Sequence, residues 1–247
     1  SSISVLAGAQ GKGWTYNPQN VRKGYSDKYK FNWIPNKLLD ISPDGTKLAY
    51  ATRMNGQNNI MIRSTKSQGT STQRTFRDVQ SFCWGGDNKL YFSDANSTNC
   101  YISSINAEQG SMMNQLTNGA VYDMDPVTLD GKMVYFTRSG NLGPSIWSLD
   151  RSNGTLTSCA KGYNPCLIPN DPEAFYCVRN SSNGRSEIWY VNYVKGQESL
   201  ILSDTEHSFT NPALSPDGKW LAMQGNAISS IDKKANLDIF VVRTDGT

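Results

Sequence analysis

Histidine is almost missing from this 247-residue chain, which contains a single copy, His207. A hydrolytic metal centre normally gathers several histidines and carboxylates around one ion, so the sequence excludes a multi-histidine metal site. A Ser-His-Asp triad would have to use His207, and the chain contains no Gly-x-Ser-x-Gly motif for its nucleophile. We therefore predict a non-enzymatic protein with no catalytic residues, no metal and no cofactor.

Long basic and long apolar runs are missing as well. No run of Lys and Arg exceeds two residues, although the net charge is +3. A nucleic-acid partner needs a clustered basic face, so we expect none. No apolar run approaches the roughly 20 residues of a membrane-spanning helix. The first residues also lack the pattern of a signal peptide. We thus expect no transmembrane segment, and either a cytoplasmic chain or a mature form whose targeting segment is absent.

The cysteines do not form a recognisable framework. Their number is odd and no Cys-x-x-Cys occurs, which argues against a zinc ribbon or a thioredoxin-like motif. We expect buried free thiols, because an unpaired cysteine behaves as a small hydrophobic residue. A disulfide between Cys166 and Cys177, which flank one predicted hairpin, stays an alternative. The five residues are Cys83, Cys100, Cys159, Cys166 and Cys177.

What the sequence does contain is an internal repeat. The string "ISPDGTKLAY" at 41–50 returns as "LSPDGKWLAM" at 214–223, and three weaker copies lie between them. Each copy consists of an apolar run, a turn and a second apolar run. A third run follows in every repeat and a fourth in all but the last. Four short strands per roughly 43 residues predict a β-propeller built of four-stranded antiparallel blades.

The first turn of several repeats combines Pro, Asp and Gly. Proline fixes φ at the first turn position, aspartate bonds its own backbone and glycine accepts a positive φ. A calcium site is a poor explanation for these aspartates, because they lie on different blades and calcium needs six to eight oxygens around one point. We predict structural turn roles for Pro43, Asp44, Gly45, Asp130, Gly131, Pro216, Asp217 and Gly218.

The Ser-Pro-Asp-Gly hairpin, the strand "DIFVV" at 238–242 and the short strand "NQLT" at 114–117 resemble the repeat of the TolB-type β-propeller family. The likeness covers residues 38–247 and is strongest in the first and fifth repeats. It implies one six-bladed propeller domain spanning residues 1–247. The expected repeats lie at about 38–76, 77–119, 120–162, 163–206 and 207–247.

Residues 1–37 lack a Pro-Asp-Gly hairpin but contain three short apolar segments, "ISVLAG", "GWTYNP" and "KYKFNWI". The fifth repeat ends before a fourth strand. We therefore predict that residues 1–37 close the ring by pairing with the last blade, since closure removes exposed sheet edges. Because the resembled family is six-bladed, the same segment could instead build most of a sixth blade. Five blades with one borrowed strand, and a truncated six-bladed protein, stay open as alternatives.

The same resemblance implies a function. It places the protein in a bacterial envelope, either in the periplasm or on the outer-membrane or extracellular side, with an envelope protein or peptide as partner. The opening Ser-Ser would also suit a lipoprotein that lacks its lipidated cysteine. The alternative is a carbohydrate-binding module or a propeller associated with a lyase or a peptidase.

The expected binding surface is the channel mouth at which the inner strands begin. The loops "VYDMD", "GYNP" and "HSFTN" combine aromatic and polar side chains, and exposed aromatics beside polar groups dominate many interfaces. The alternative is that the aromatic residues fill gaps between blades and that His207 is an exposed loop residue. The predicted binding residues are Tyr122, Asp123, Asp125, Tyr163, Asn164, His207, Phe209 and Asn211.

Four tryptophans recur at strand positions, namely Trp84, Trp147, Trp189 and Trp220. We expect them to pack between blades, because aromatic residues supply large buried areas there. A platform that stacks against a sugar is the alternative.

Overall fold

The computed structural model describes residues 4–6, 38–66, 70–96, 99–108, 110–119, 122–140, 142–227 and 236–245. Every regular element in these ranges is a β-strand, and the strands form antiparallel four-stranded units. The predicted all-β fold of four-stranded blades is therefore confirmed. No helix among the described residues is long and apolar enough to cross a membrane.

Each repeat forms one four-stranded antiparallel unit, called a blade below, and a single parallel bridge between Tyr122 and Cys100 joins the second and third blades into one eight-stranded sheet. Blade 1 contains β2 (Leu39–Ile41), β3 (Lys47–Met54), β4 (Gln57–Ser64) and β5 (Thr72–Gln73). Blade 2 contains β6 (Asp78–Trp84), β7 (Lys89–Ala95), β8 (Cys100–Asn106) and β9 (Asn114–Gln115). Blade 3 contains β10 (Tyr122–Val127), β11 (Met133–Gly140), β12 (Gly143–Asp150) and β13 (Thr155–Lys161). Blade 4 contains β14 (Tyr163–Ile168), β15 (Asp171–Asn180), β16 (Ser186–Asn192) and β17 (Gln197–Leu202).

Blade 5 takes its fourth strand from the other end of the chain. Its own strands are β18 (His207–Leu214), β19 (Trp220–Ala227) and β20 (Asn236–Arg243). The N-terminal strand β1 (Ser4–Leu6) pairs antiparallel with β20, with Ser4 opposite Val241 and Leu6 opposite Ile239. Residues 4–6 thus make the pairing expected of the closing segment. Residues 7–37 lie outside the described residues, so the number of blades and the domain boundaries stay predictions.

The first hairpins of blades 1 and 5 are built from the same bonds. Ser42 Oγ donates to Asp44 Oδ1 at 2.6 Å and accepts a bond from the backbone N–H of Lys47 at 2.9 Å. Ser215 Oγ donates to Asp217 Oδ1 at 2.5 Å in the corresponding turn. The glycine that follows each aspartate has a positive φ, 70° at Gly45 and 71° at Gly218. The Ser-Pro-Asp-Gly string therefore encodes a closed turn that most other residues could not adopt.

Blade 3 reaches the same turn with different residues. Thr128 Oγ1 accepts a bond from the backbone N–H of Gly131 at 3.0 Å and donates to the carbonyl of Met133 at 2.6 Å. Gly131 has a φ of 78°. A hydroxyl residue therefore closes the turn in all three hairpins.

The hydrophobic core lies between neighbouring blades. Ile60 of blade 1 shares a cluster with Phe82 and Phe92 of blade 2, and Tyr135 of blade 3 shares one with Phe175 of blade 4. Trp84 is buried, and Trp147 and Trp189 pack against the clusters from partly buried positions. Trp220 has 43% of its surface exposed, so the prediction of core packing is wrong for this residue. Its ring instead meets the guanidinium of Arg243, 5.5 Å away.

None of the five cysteines forms a disulfide bond. Cys83, Cys100 and Cys177 are buried as expected, whereas Cys159 and Cys166 are half-buried. Cys166 stands opposite Tyr176 rather than opposite Cys177, so the alternative of a disulfide between the two cysteines is wrong. Burial raises the pKa of the Cys177 thiol to about 12, which keeps it protonated at neutral pH.

Candidate functional site

The innermost strands of the five blades line a cavity of about 490 Å³, called the axial cavity below. Its walls come from the later residues of β6, β10 and β18, from most of β14 and from the turns that follow, while β2 contributes its first residue, Leu39. On β10, for example, the lining begins at Asp125 and continues to Leu129. The axial cavity therefore lies toward the mouth at which the first hairpins turn, opposite to the mouth predicted from the sequence.

Three inner strands carry the same irregularity where they enter the axial cavity. The strand register shifts between Met124 and Val127 on β10, and equivalent shifts occur on β14 and β18. A residue with left-handed backbone occupies each shift. These are Asp125, Asn164 and Asn211, with φ of 52°, 48° and 53°. Aspartate and asparagine tolerate this conformation better than other non-glycine residues, and β-bulges use it to redirect a strand.

A proline follows each of these residues. They are Pro126, Pro165 and Pro212, and all three line the axial cavity. Proline within a sheet is confined to edge strands and bulges because it has no N–H to donate. The innermost strand of a blade meets this condition, since its free side faces the axis.

Side chains at the bulges connect one blade to the next. The backbone N–H of Asp125 donates to Ser81 Oγ of blade 2 at 2.9 Å. Asn164 Nδ2 of blade 4 donates to Asp125 Oδ2 at 2.9 Å. The backbone N–H of Asn211 of blade 5 reaches Asn164 Oδ1 at 3.4 Å. Ser81, Asp125, Asn164 and Asn211, called the interblade belt below, therefore connect blades 2 to 5 around the axis.

Apolar groups surround the mouth of the axial cavity. Leu39 and Leu129 are 58% and 41% exposed, and Pro169, Ala213 and Pro216 are exposed beside them. Clustered exposed apolar groups around a concave site are typical of a binding surface. The polar groups of the belt lie deeper along the same strands, where they could orient a ligand.

The structure places all eight predicted binding residues on β10, β14 and β18 rather than in loops. Asp125, Asn164 and Asn211 line the axial cavity. The exposure expected for the aromatic residues is wrong for Tyr163 and Phe209, which have 1% and 0% of their surface exposed. Both belong to a hydrophobic cluster between blades, the gap-filling alternative, and Tyr122 packs against that cluster from a half-buried position. A binding role for the set as a whole stays a prediction.

Asp123 and His207 lie away from the axial cavity lining. Asp123 is fully buried and forms a two-bond ion pair with Arg138, at 2.7 and 2.9 Å. Burial raises the pKa of Asp123, and the bonds from Arg138 oppose that effect. His207 is half-buried, its Nδ1 lies 3.2 Å from Asp204, and its ring contacts Phe240 with 5.1 Å between centroids. It is therefore not the exposed loop histidine that was the alternative.

Sequence reasoning missed the residues that form most of the cavity wall. A usable signal was present, because an Asp-Pro or Asn-Pro dipeptide recurs in the first strand of repeats three, four and five. A proline after Asx in an otherwise apolar strand indicates a bulge on an edge strand.

Comparison with known proteins supports the fold. The structure superposes on a putative TolB from Agrobacterium tumefaciens with a TM-score of 0.67, 20% identity, and coverage of 85% of this chain and 77% of that one. It superposes on TolB from Acinetobacter baumannii with a TM-score of 0.63, 17% identity and 84% of this chain. The match covers 54% of the Acinetobacter chain, so this chain spans about half of that protein.

A structure of oligogalacturonate lyase in complex with manganese also matches, with a TM-score of 0.59, 12% identity, and coverage of 87% of this chain and 67% of that one. No protein-family model matches the sequence, and no curated protein does. The chain has a TolB-like β-propeller fold. At these identities the likeness concerns the fold alone.

Proposed function

We propose that the protein is a non-enzymatic binding or scaffolding propeller that takes up a protein or peptide segment at the mouth of the axial cavity. The observation that carries the proposal is the combination of exposed Leu39 and Leu129 with a cavity of about 490 Å³ that runs inward from them. An apolar rim around a concave site with a few oriented polar groups is typical of binding sites.

The rigidity of the cavity wall supports the same proposal. The interblade belt fixes Asp125 and Asn164 through bonds between different blades, and the prolines restrict the backbone beside them. A preformed site loses little conformational entropy when it binds, so a modest contact area can give useful affinity.

The envelope location is part of the proposal. It is supported by the sequence resemblance to TolB-type repeats and by the superposition on two TolB structures. The partner is then an envelope protein or an extended segment of one.

The experiment compares two tryptophan variants in affinity capture from bacterial envelope extract. Ala213→Trp places a large side chain at an exposed position in the cavity wall. Val194→Trp, at a position 59% exposed between β16 and β17, is the matched control. A partner held by the wild type and by Val194→Trp should be lost from Ala213→Trp. A partner held equally by all three proteins would place the binding surface elsewhere.

Carbohydrate binding is a second candidate, and the exposed ring of Trp220 favours it. A half-exposed tryptophan on a rigid strand can stack against a sugar ring. A glycan array distinguishes the two candidates. Glycan binding that is lost in Trp220→Ala and kept in Ala213→Trp would favour the carbohydrate function over the peptide function.

A further inference from the structure

A second cavity of about 340 Å³ opens between the first hairpin of blade 3 and the first hairpin of blade 4. Leu129, Leu167 and Pro169 line both this cavity and the axial cavity, so the two surfaces are continuous. The second cavity, called the radial groove below, therefore leads from the axis outward between two blades on the hairpin face.

We propose that the radial groove binds a lysine or arginine side chain of the peptide segment whose apolar part occupies the axial cavity. The proposal rests on the proposed function and names the chemistry of the partner. A segment that fills both cavities presents apolar residues to the axis and a basic residue to the space between blades 3 and 4.

Charge is the first observation that supports a cationic ligand. Among the described residues that line the two cavities, the ones that carry charge are Asp125, Asp130 and Asp171, and all three are acidic. The chain as a whole carries a net charge of +3, so this sign is opposite to that of the whole molecule. A concave surface of one sign attracts ligands of the other and disfavours partners with the same sign.

The two carboxylates of the radial groove are held in place before a ligand arrives. Asp130 Oδ1 accepts a bond from the backbone N–H of Lys132 at 2.9 Å, within the turn fixed by Thr128. Asp171 Oδ2 accepts a bond from the hydroxyl of Tyr190 at 3.3 Å, and Asp171 pairs with Ile168 across its own tight turn. Oriented carboxylates on opposite walls can hold one ammonium or guanidinium group with little reorganisation.

The rest of the groove suits the aliphatic part of a basic side chain. Met133 and Ile168 are half-buried in its wall, and Ala174 is buried. Lysine and arginine pack their methylene groups on apolar surface while the charged end reaches polar partners. An acidic or a small polar side chain would gain from neither part of this wall.

Lys132 is the competing cation on the protein itself. Its Nζ lies 3.9 Å from Asp130 Oδ2, and its side chain is 85% exposed. Exposed pairs of this kind contribute little and are screened by salt. An incoming basic side chain can therefore displace Lys132 at small cost.

The test begins with selection of a displayed random heptapeptide library on the intact protein. We expect the enriched peptides to combine apolar residues with an excess of Lys or Arg. The best peptide is then synthesised with a fluorophore, together with a version in which norleucine replaces the basic residue, and both are measured by fluorescence anisotropy.

The double variant Asp130→Asn with Asp171→Asn should bind the basic peptide with about tenfold lower affinity, a loss typical of a charge-assisted contact. It should leave the norleucine peptide unchanged, and the salt dependence of binding should decrease. Asp150→Asn, on blade 3 but outside both cavity linings, is the matched control and should bind both peptides as the wild type does. Circular dichroism checks that each variant is folded.

The outcomes separate this proposal from the one on which it rests. Selected peptides that Ala213→Trp no longer binds, but that the double asparagine variant binds normally, would support the axial site and overturn the radial groove. Enriched peptides without an excess of Lys or Arg would overturn the radial groove as well. A library that yields no binder would contradict both proposals.

Discussion

Single glycines of the first hairpins face different surroundings although their backbones are alike. Gly218 and Gly131 have φ of 71° and 78°, but a Cβ on Gly218 meets open space, whereas one on Gly131 lies 2.6 Å from the hydroxyl of Tyr91 and contacts Asp87. Gly218→Ala should therefore lower the free energy of unfolding by about 1 kcal/mol, because of the backbone conformation alone. Gly131→Ala should cost clearly more, because Tyr91 or Asp87 must also move. Urea unfolding of both variants measures the difference, and equal midpoints would contradict the contact.

The carboxyl group of Asp44 should make the stability of the protein depend on pH. The hydroxyl of Ser42, and then the backbone and hydroxyl of Thr46, lower the pKa of this carboxyl to about 2. A lowered pKa means that these bonds stabilise the fold above the ordinary pKa of about 3.9 and lose that effect as the pH falls toward 2. Ser42→Ala removes the hydrogen bond that lowers the pKa of Asp44 most, and it should raise that pKa in a side-chain NMR titration. Ser215→Ala should likewise raise the pKa of Asp217, which is lowered mainly by the hydrogen bond from Ser215. Unchanged titration curves would show that the hydroxyls do not control these carboxyls.

The pairing of strand β1 with strand β20 can be tested by deletion. β1 covers the edge of β20 through residues 4–6. Deletion of residues 1–6 should leave the β20 edge open and promote association, because an unpaired strand edge binds other strands. Deletion of residues 1–3 is the matched control and keeps β1. Size-exclusion chromatography with light scattering should show larger species for the first deletion alone. A monomeric and equally stable protein after the first deletion would mean that β1 does not protect the edge.

Strands and hairpins were predictable from the sequence, but side-chain orientation near the bulges was not. The repeat period and the Pro-Asp-Gly strings identify where each blade starts, because turn chemistry is local. The bulges at Asp125 and Asn164 add a residue on one strand, and a shift of one residue exchanges the two faces. Tyr163 and Phe209, just before such bulges, point into the interblade core, whereas the left-handed residues that follow them line the axial cavity. The axial cavity itself required knowledge of how five separate strands meet, which no local pattern contains.

Across the whole molecule, the interblade belt couples neighbouring blades through side chains, and blades 3 and 4, which it joins, belong to different sheets. The bond from Asn164 Nδ2 to Asp125 Oδ2 joins blades 4 and 3 at buried positions. Asn164→Gly keeps the left-handed backbone and removes the side-chain amide. It should lower the free energy of unfolding by about 2 kcal/mol, since a hydrogen bond to a charged group is lost. In a double-mutant cycle with Asp125→Asn, the two losses should not add and should differ from additivity by about 1 kcal/mol. Denaturant unfolding of the four proteins measures the coupling, and simple additivity would argue against the bond.

The Asp-Pro and Asn-Pro pairs in the wall of the axial cavity limit the ways in which a peptide can bind there. The backbone N–H groups of Asp125, Asn164 and Asn211 already donate to neighbouring blades, and the next residue in each strand, a proline, has no N–H. Two successive positions on each of three inner strands therefore offer no main-chain donor. A further strand added along the axis would therefore find its ladder of hydrogen bonds interrupted on these three strands, which disfavours the strand addition by which many domains capture peptides. Recognition in the axial cavity should depend mainly on side chains and shape, and the same interruption disfavours pairing of these three edges with a second copy of the molecule.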